Sequence, residues 1–395
     1  MRVERHATPR VLVVVNSLGI GGTERMVERL TMHLEAAGQV RFTVCSLGAE
    51  GAIGGRLRSS GVPVVALGYR GAAAQVLGGA RAIRAMLRRE GFDLIHSFLY
   101  RSHCASRLAR IGSALRIPLI SSERCLGDNR GLVARLVNRL TARSSDRVLA
   151  VSRAVGERAA ARDGVPRDRV AVVPNGVETA GPDPRARRRL RRVLGLGAAD
   201  VLFLYLGRLH AEKGPDLLVE GLRALRRRLP GGWRCVFIGD GPERHALRAA
   251  TADLDGFVML PGPRRRVGPW LEACDVLVMP SREEGMPVAA LEAMMRGRAV
   301  VATRVGGTPE VVRSGETGLL VESGDRDGLA AALETLARDA DLRERLGARG
   351  RAVARAEFTL EAMAEGTLRE YRSLLATAGA AAGRAAAVAG AARER

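Results

Sequence analysis

The chain nearly lacks lysine. It has 63 basic residues, and all but one, Lys213, are arginine. Whatever favours arginine elsewhere does not act at residue 213, and a site that wants a compact ammonium rather than a planar fork is the simplest explanation. Aromatic residues are scarce as well: seven Phe, four Tyr and two Trp, none interleaved with an arginine cluster. Binders of single-stranded nucleic acid need such stacking platforms, so nucleic acid is not the expected partner of the net charge of +21. The five cysteines (Cys45, Cys104, Cys125, Cys235, Cys274) are scattered and never form a CxxC pair. That argues against a disulfide framework and fits reduced, mostly buried thiols in a cytosolic protein. The six histidines show no HExxH or other metal-ligand spacing, so no structural metal is expected. No run of about 18–20 strongly apolar residues occurs, so no membrane span is expected. The opening MRVERHATPRVLVVV has no long apolar core or cleavage site, and export is not expected. The known nucleotide fingerprints are missing too. NSLGIGGTE would need glycine at Glu24 to read GxGxxG, GDGPE at 239–243 fails the same test, and no GxxxxGK[ST] exists.

What is present is an alternation of short β-branched runs with helical patterns. Strands are expected at Val11–Val15, Arg41–Ser46, Pro63–Leu67, Asp93–Ser97, Ile117–Ser121, Arg147–Val151 and Val170–Pro174, with helices such as Thr23–Ala36, Gly79–Arg89 and Ser102–Ala114 between them. Apolar runs of this length between helices mean strands buried on both faces of a parallel sheet. The pattern restarts after VVPNGVETAGPDPRARRR, a stretch with linker character, at Val201–Leu206, Trp233–Ile238, Gly256–Leu260, Asp275–Met279, Ala299–Ala302 and Thr317–Val321. Two doubly wound α/β halves facing a cleft follow, with ligands at the carboxyl ends of the strands. The expected division is one Rossmann-like half over 1–178, a second over 179–358, a C-terminal helix over 359–376 and a disordered Ala/Gly/Arg tail over 377–395.

Charge is uneven along the chain. Residues 1–176 hold 28 basic and 13 acidic side chains, the remainder 35 and 29. The first half is therefore expected to meet something anionic, such as a membrane surface or a phosphate-bearing acceptor. Residues 80–90, ARAIRAMLRRE, set Ile83, Met86 and Leu87 on one helical face among four arginines, which fits either an ordinary solvated helix packed on its sheet or a contact with an anionic membrane surface.

Three stretches carry chemistry. Gly21 and Gly22 follow the first strand and let backbone N–H groups approach an anion; Gly306 and Gly307 repeat that logic. In GRLHAEKG, Arg208 and Lys213 flank the turn after the first strand of the second half, where two cations could hold a diphosphate without a metal. In PSREEGMPVAALEAMMRG, Glu284 stands on a loop and Glu292, expected to be buried, about five positions inside the following helix, with Pro287 at its start. One carboxylate can meet a polyhydroxyl ligand at the loop while the other meets its far end. DRD (325–327) and DLD (253–255) mimic the metal-binding DxD of sugar transferases but read as surface acids.

In these motifs the chain resembles the large retaining family of GT-B nucleotide-sugar glycosyltransferases with an E-x7-E motif, over roughly residues 10–375. The likeness implies two Rossmann-like domains, the first (1–178) binding the acceptor and the second (179–358) the nucleotide-sugar donor, with the last helix (359–376) returning to the first domain, no cofactor beyond the donor substrate, and no DxD or bound metal. It implies that Arg208 and Lys213 neutralise the leaving diphosphate, that Glu284 binds sugar hydroxyls and that Glu292 binds the ribose. Gly21, Gly22, Asn175, Gly239, Gly241, Pro261, Gly285, Met286 and Pro287 would line the donor. Where many members carry a histidine this chain reads ISSERCLGD, so Glu123, Arg124 and the upstream His103 are the candidates for contact with sugar or acceptor. The implied activity moves a hexose or N-acetylhexosamine, from a UDP sugar in preference to a GDP sugar, to a glycan or lipid-linked acceptor on the cytoplasmic side. A sugar-nucleotide epimerase of similar architecture and a basic nucleic-acid-binding protein are the alternatives.

Overall fold

The computed structural model describes residues 8–111, 117–126 and 131–393. They form two compact units. The first runs to Pro174 and includes the final helix; the second is Asn175–Thr359, with Cys125 and Leu126.

In the first unit the elements are β1 (Arg10–Val15), α1 (Gly22–Ala36), β2 (Arg41–Ser46), α2 (Gly51–Ser59), β3 (Val64–Ala66), α3 (Gly79–Glu90) and β4 (Leu94–Phe98). They continue through α4 (Tyr100–Arg110), β5 (Leu119–Glu123), α5 (Leu132–Ala142), β6 (Arg147–Ala150), α6 (Arg153–Asp163) and β7 (Val170–Val172). The strands make one parallel sheet in the order β3-β2-β1-β4-β5-β6-β7. Val11–Val15 are buried on both faces of β1, as a continuous apolar run requires. Strand β5 begins two residues later than the apolar pattern suggests, because Pro118 has no N–H to give the ladder. The shift puts Glu123 at its last position.

The second unit opens with a correction. The Pro/Gly/Arg stretch expected as linker forms α7 (Pro184–Val193), since Asp183 accepts from the Ala186 N–H at 2.9 Å and Pro184 suits the first turn. There follow β8 (Val201–Leu206), α8 (Pro215–Arg228), β9 (Trp233–Ile238), α9 (Arg244–Ala250), β10 (Val258–Met259), α10 (Gly268–Ala273), β11 (Val276–Met279) and α11 (Val288–Met295). Then come β12 (Ala299–Thr303), α12 (Thr308–Val311), β13 (Leu319–Val321), α13 (Arg326–Arg338) and α14 (Ala340–Glu357). The parallel order is β10-β9-β8-β11-β12-β13.

Helix α15 (Leu360–Arg393) returns to the first unit, where Leu360, Met363, Leu368, Tyr371 and Leu374 join the core beneath α1. Its helical geometry continues to Arg393, into the tail expected to be disordered; alanine, the commonest residue there, has the highest helix propensity. Of the two readings open for residues 80–90, the packed helix is the one found and the membrane contact is not. Ile83, Met86 and Leu87 of α3 are buried in the core, and Arg84 donates to the carbonyls of Leu108, Ala109 and Ile111 at the end of α4. Among the described residues no helix is long and apolar enough to cross a membrane.

Candidate functional site

In a doubly wound sheet the strand order reverses at one point, and the loops leaving the two strands there splay apart to form a crevice. In the second unit that point lies between β8 and β11, which are hydrogen-bonded neighbours. The loops that leave them at their carboxyl ends are GRLHAEKG and PSREEGMP. Two motifs about 70 residues apart in sequence are thus neighbours because of strand order.

The pair at the centre is Lys213 and Glu284. Lys213 Nζ donates to Glu284 Oε1 at 2.7 Å, and the two side chains are 24% and 9% exposed. Ser281 Oγ donates to the same carboxylate oxygen at 2.9 Å. Removing either charge leaves the other in a largely dry place without its partner, which is where ion pairs matter most. The buried phenol of Tyr205 donates to the Arg208 carbonyl at 2.7 Å and holds the start of the loop; its pKa is raised, first by burial and then by the Glu284 charge.

The two loops are zipped along their length. Arg282 N–H donates to the Glu212 carbonyl at 2.8 Å, and its guanidinium reaches the Ala211 carbonyl at 2.7 Å and both oxygens of Asp216. The Arg282 guanidinium holds the Asp216 carboxyl below the usual carboxylate range. Gly214 ends the turn at φ +62, and a Cβ there would overlap the Pro280 carbonyl oxygen, so only glycine permits this approach. On the far side, Gly307 N–H donates to the Glu284 carbonyl at 3.1 Å, and Gly306 at φ +50 packs on the same carbonyl. Nothing in the sequence singles out Ser281, Arg282 or Asp216: the first two sit inside PSREEGMP, and Asp216 lies two residues past GRLHAEKG.

Glu292 lies in the second turn of α11 and is half-buried, not buried as expected, because this face of the helix reaches solvent. Gly285, Met286 and Pro287 are buried, and Pro287 is the N-cap of α11. Asn175 is buried against this loop: its N–H donates to Met286 Sδ at 3.1 Å and its Nδ2 to the Met286 carbonyl at 3.5 Å. Gly239 and Gly241 let the loop after β9 lie directly on the carbonyls of Gly207 and Leu209. Pro261 follows β10 at the sheet edge. Arg208 is exposed, 3.6 Å from Glu212. Asp253 is paired with Arg223, and Asp325 caps α13, so both DxD mimics have structural roles. Among the described residues no group of three His, Cys, Asp or Glu could hold a metal.

In the first unit the reversal lies between β1 and β4. Gly21 and Gly22 stand at the N-terminus of α1, after β1. Leu99, which follows β4 as the N-cap of α4, adopts φ 71 and ψ 158, and it is the one described non-glycine residue at positive φ. Strain of that kind persists where surrounding structure imposes it, commonly at ligand sites, and no sequence signal announces it. His103 is fully buried, its Nδ1 2.9 Å from Ser97 Oγ and its Nε2 3.6 Å from Glu123 Oε1. The structure therefore brings together two of the three candidates from this half; Arg124 lies beside buried His96 and Ser122.

Among solved structures, Anabaena HepE in complex with UDP matches with a TM-score of 0.82 over 92% of this chain and 100% of that one, at 21% identity. The molecule is of the GT-B class. Residues 20–181 match the family described as Glycosyltransferase Family 4, and residues 200–339 that described as Glycosyl transferases group 1. The D-inositol 3-phosphate glycosyltransferase of Nocardia farcinica is 32% identical over 319 residues, 74% of this chain and 70% of that protein. The GDP-mannose-dependent alpha-(1-6)-phosphatidylinositol monomannoside mannosyltransferase of Mycolicibacterium smegmatis is 35% identical over 257 residues, 62% of this chain and 66% of that protein. The chain belongs to glycosyltransferase group 1/family 4 and is a retaining glycosyltransferase.

Proposed function

We propose that the chain transfers a hexose or N-acetylhexosamine, with retention, from a nucleoside-diphosphate sugar to a glycan or lipid-linked acceptor. The observation that carries this is the Lys213–Glu284 pair at the strand-order reversal of the second unit. Breaking the sugar–phosphate bond concentrates negative charge on the leaving diphosphate, and a preorganised cation stabilises it without reorganising. Lys213 supplies that cation, with exposed Arg208 as a second. Glu284 fixes the ammonium and offers its remaining lone pairs to sugar hydroxyls. Glu292 takes the ribose, and Gly285, Met286 and Pro287 offer backbone groups. Gly21, Gly22, Asn175, Gly239, Gly241 and Pro261 complete the donor contacts, while His103, Glu123 and Arg124 serve the sugar or acceptor. No metal enters this scheme. UDP is the preferred donor nucleotide; a relative named for GDP-mannose keeps GDP in the test. One relative named for D-inositol 3-phosphate and one for phosphatidylinositol monomannoside support a phosphate-bearing acceptor, and the arginine-rich first unit has the matching charge. The proposed place of action is the cytoplasmic face of the membrane.

Thermal unfolding in EDTA with UDP, GDP, ADP, NAD and a DNA oligomer tests the reading. A nucleoside diphosphate at about 100 times its Kd should add about 2.7 kcal/mol, a rise of several degrees in Tm. A rise with UDP or GDP alone supports the metal-free transferase and names the base. No rise with any diphosphate, or a rise with DNA only, overturns it.

A further inference from the structure

Helix α5 is built inside out. Its inward face carries Asn138, Thr141 and Ala142, all buried. Asn138 Oδ1 accepts from the guanidinium of fully buried Arg107 at 2.7 Å, and the Tyr100 hydroxyl donates to the Ala134 carbonyl at 2.9 Å. The leucines point the other way: Leu132, Leu136 and Leu140 are 81%, 58% and 72% exposed. Spaced four apart, they form one stripe along the helix. Arg135, Arg139 and Arg143 are exposed beside them, and residues 132–143 contain no carboxylate. A surface helix ordinarily turns its apolar stripe to the core. A lone exposed leucine needs no explanation, but three in register beside three cations do.

We propose that α5 is a docking helix for an anionic lipid surface. The leucines would enter the boundary between headgroups and acyl chains while the arginines meet lipid phosphates. Eleven residues extend about 16 Å, too short to span a bilayer but suited to lying in its interface. Charge selects the occupant. Two copies of this chain pairing through the same stripe would bring two rows of arginines together, whereas anionic lipid attracts them. The excess of 28 basic over 13 acidic side chains in residues 1–176 points the same way. The inference deepens the lipid-linked acceptor reading and rests on it for the reason to approach a membrane. Vesicle binding is read without turnover, so either can fail alone.

The full chain is co-sedimented with vesicles of phosphatidylcholine alone and of phosphatidylcholine containing phosphatidylglycerol. Binding to the anionic vesicles, weaker at high salt, is expected. The triple variant L132S/L136S/L140S should lower the partition coefficient about tenfold or more, and R135Q/R139Q/R143Q should lower it on anionic vesicles alone. Both variants should unfold at the wild-type temperature, since the altered side chains lie on the surface. No binding by the wild-type chain, or undiminished binding by either variant, overturns the proposal. So does a concentration-dependent dimer that the leucine variant abolishes, which would name a second copy as the occupant.

Discussion

At residue 213 an ammonium sits among 62 guanidinium groups elsewhere in the chain, and its neighbours explain the exception. Lys213 reaches one oxygen of Glu284, an oxygen already taking the Ser281 hydroxyl, so a point donor fits where a planar fork would need two acceptors in its plane. Lys213→Ala and Glu284→Ala should each lower kcat by about 10²–10³ while the protein stays folded. The double variant should lose far less than the product of the two, because each single change breaks the same pair. Lys213→Arg keeps the charge and should still lose about tenfold or more, since the fork misplaces it. Steady-state kinetics alongside circular dichroism check all four; normal turnover in both alanine variants would remove Lys213 and Glu284 from the mechanism.

Among elements, α7 shows how a stretch of linker composition becomes structure. Asp275, just before β11, accepts from Arg191 at 2.8 Å, from Arg187, and from the Leu202 N–H of β8 at 2.7 Å. Burial pushes its carboxyl pKa up, but the Arg187 and Arg191 charges and the Leu202 N–H outweigh burial and hold it below the usual range. This one carboxylate fastens α7 to the two strands whose loops carry the site. Asp275→Asn should cost about 3–5 kcal/mol, the usual cost of breaking a largely buried pair, read from urea unfolding of the second unit. A loss under 1 kcal/mol would mean that α7 is held by other contacts.

Across the molecule, segments far apart in sequence close one unit. His96 on β4 lies 2.6 Å from the hydroxyl of Tyr371 on α15 and 2.7 Å from Ser122 Oγ, fully buried. Burial, then the Arg124 charge, pushes the His96 pKa down to about 3. The unfolded chain takes up this proton below about pH 6.5, and the folded chain refuses it until near 3. Stability is therefore complete above about pH 6.5 and falls as pH drops towards the folded value, by about 1.4 kcal/mol per unit. Urea midpoints between pH 7 and 5, above most carboxylate titrations, should fall for the wild-type chain and stay flat for His96→Gln. Equal slopes would show that His96 is not the group responsible.

The local sequence determined the alternation of strands and helices, since β-branched runs and turn glycines act through neighbouring residues; β2, β8 and β9 begin and end where the pattern predicts. It also determined the two motif loops, because glycine and proline mark them. Tertiary structure decided what no local pattern encodes. Strand order put GRLHAEKG beside PSREEGMP and turned two motifs into one ion pair. Packing decided which of two basic amphipathic helices faces solvent: the α3 stripe meets the sheet, while Arg107 draws Asn138 of α5 inward and leaves its leucines outside. Amphipathicity records that a helix has two faces. Which face is buried depends on the partner it meets, and that partner comes from elsewhere in the chain.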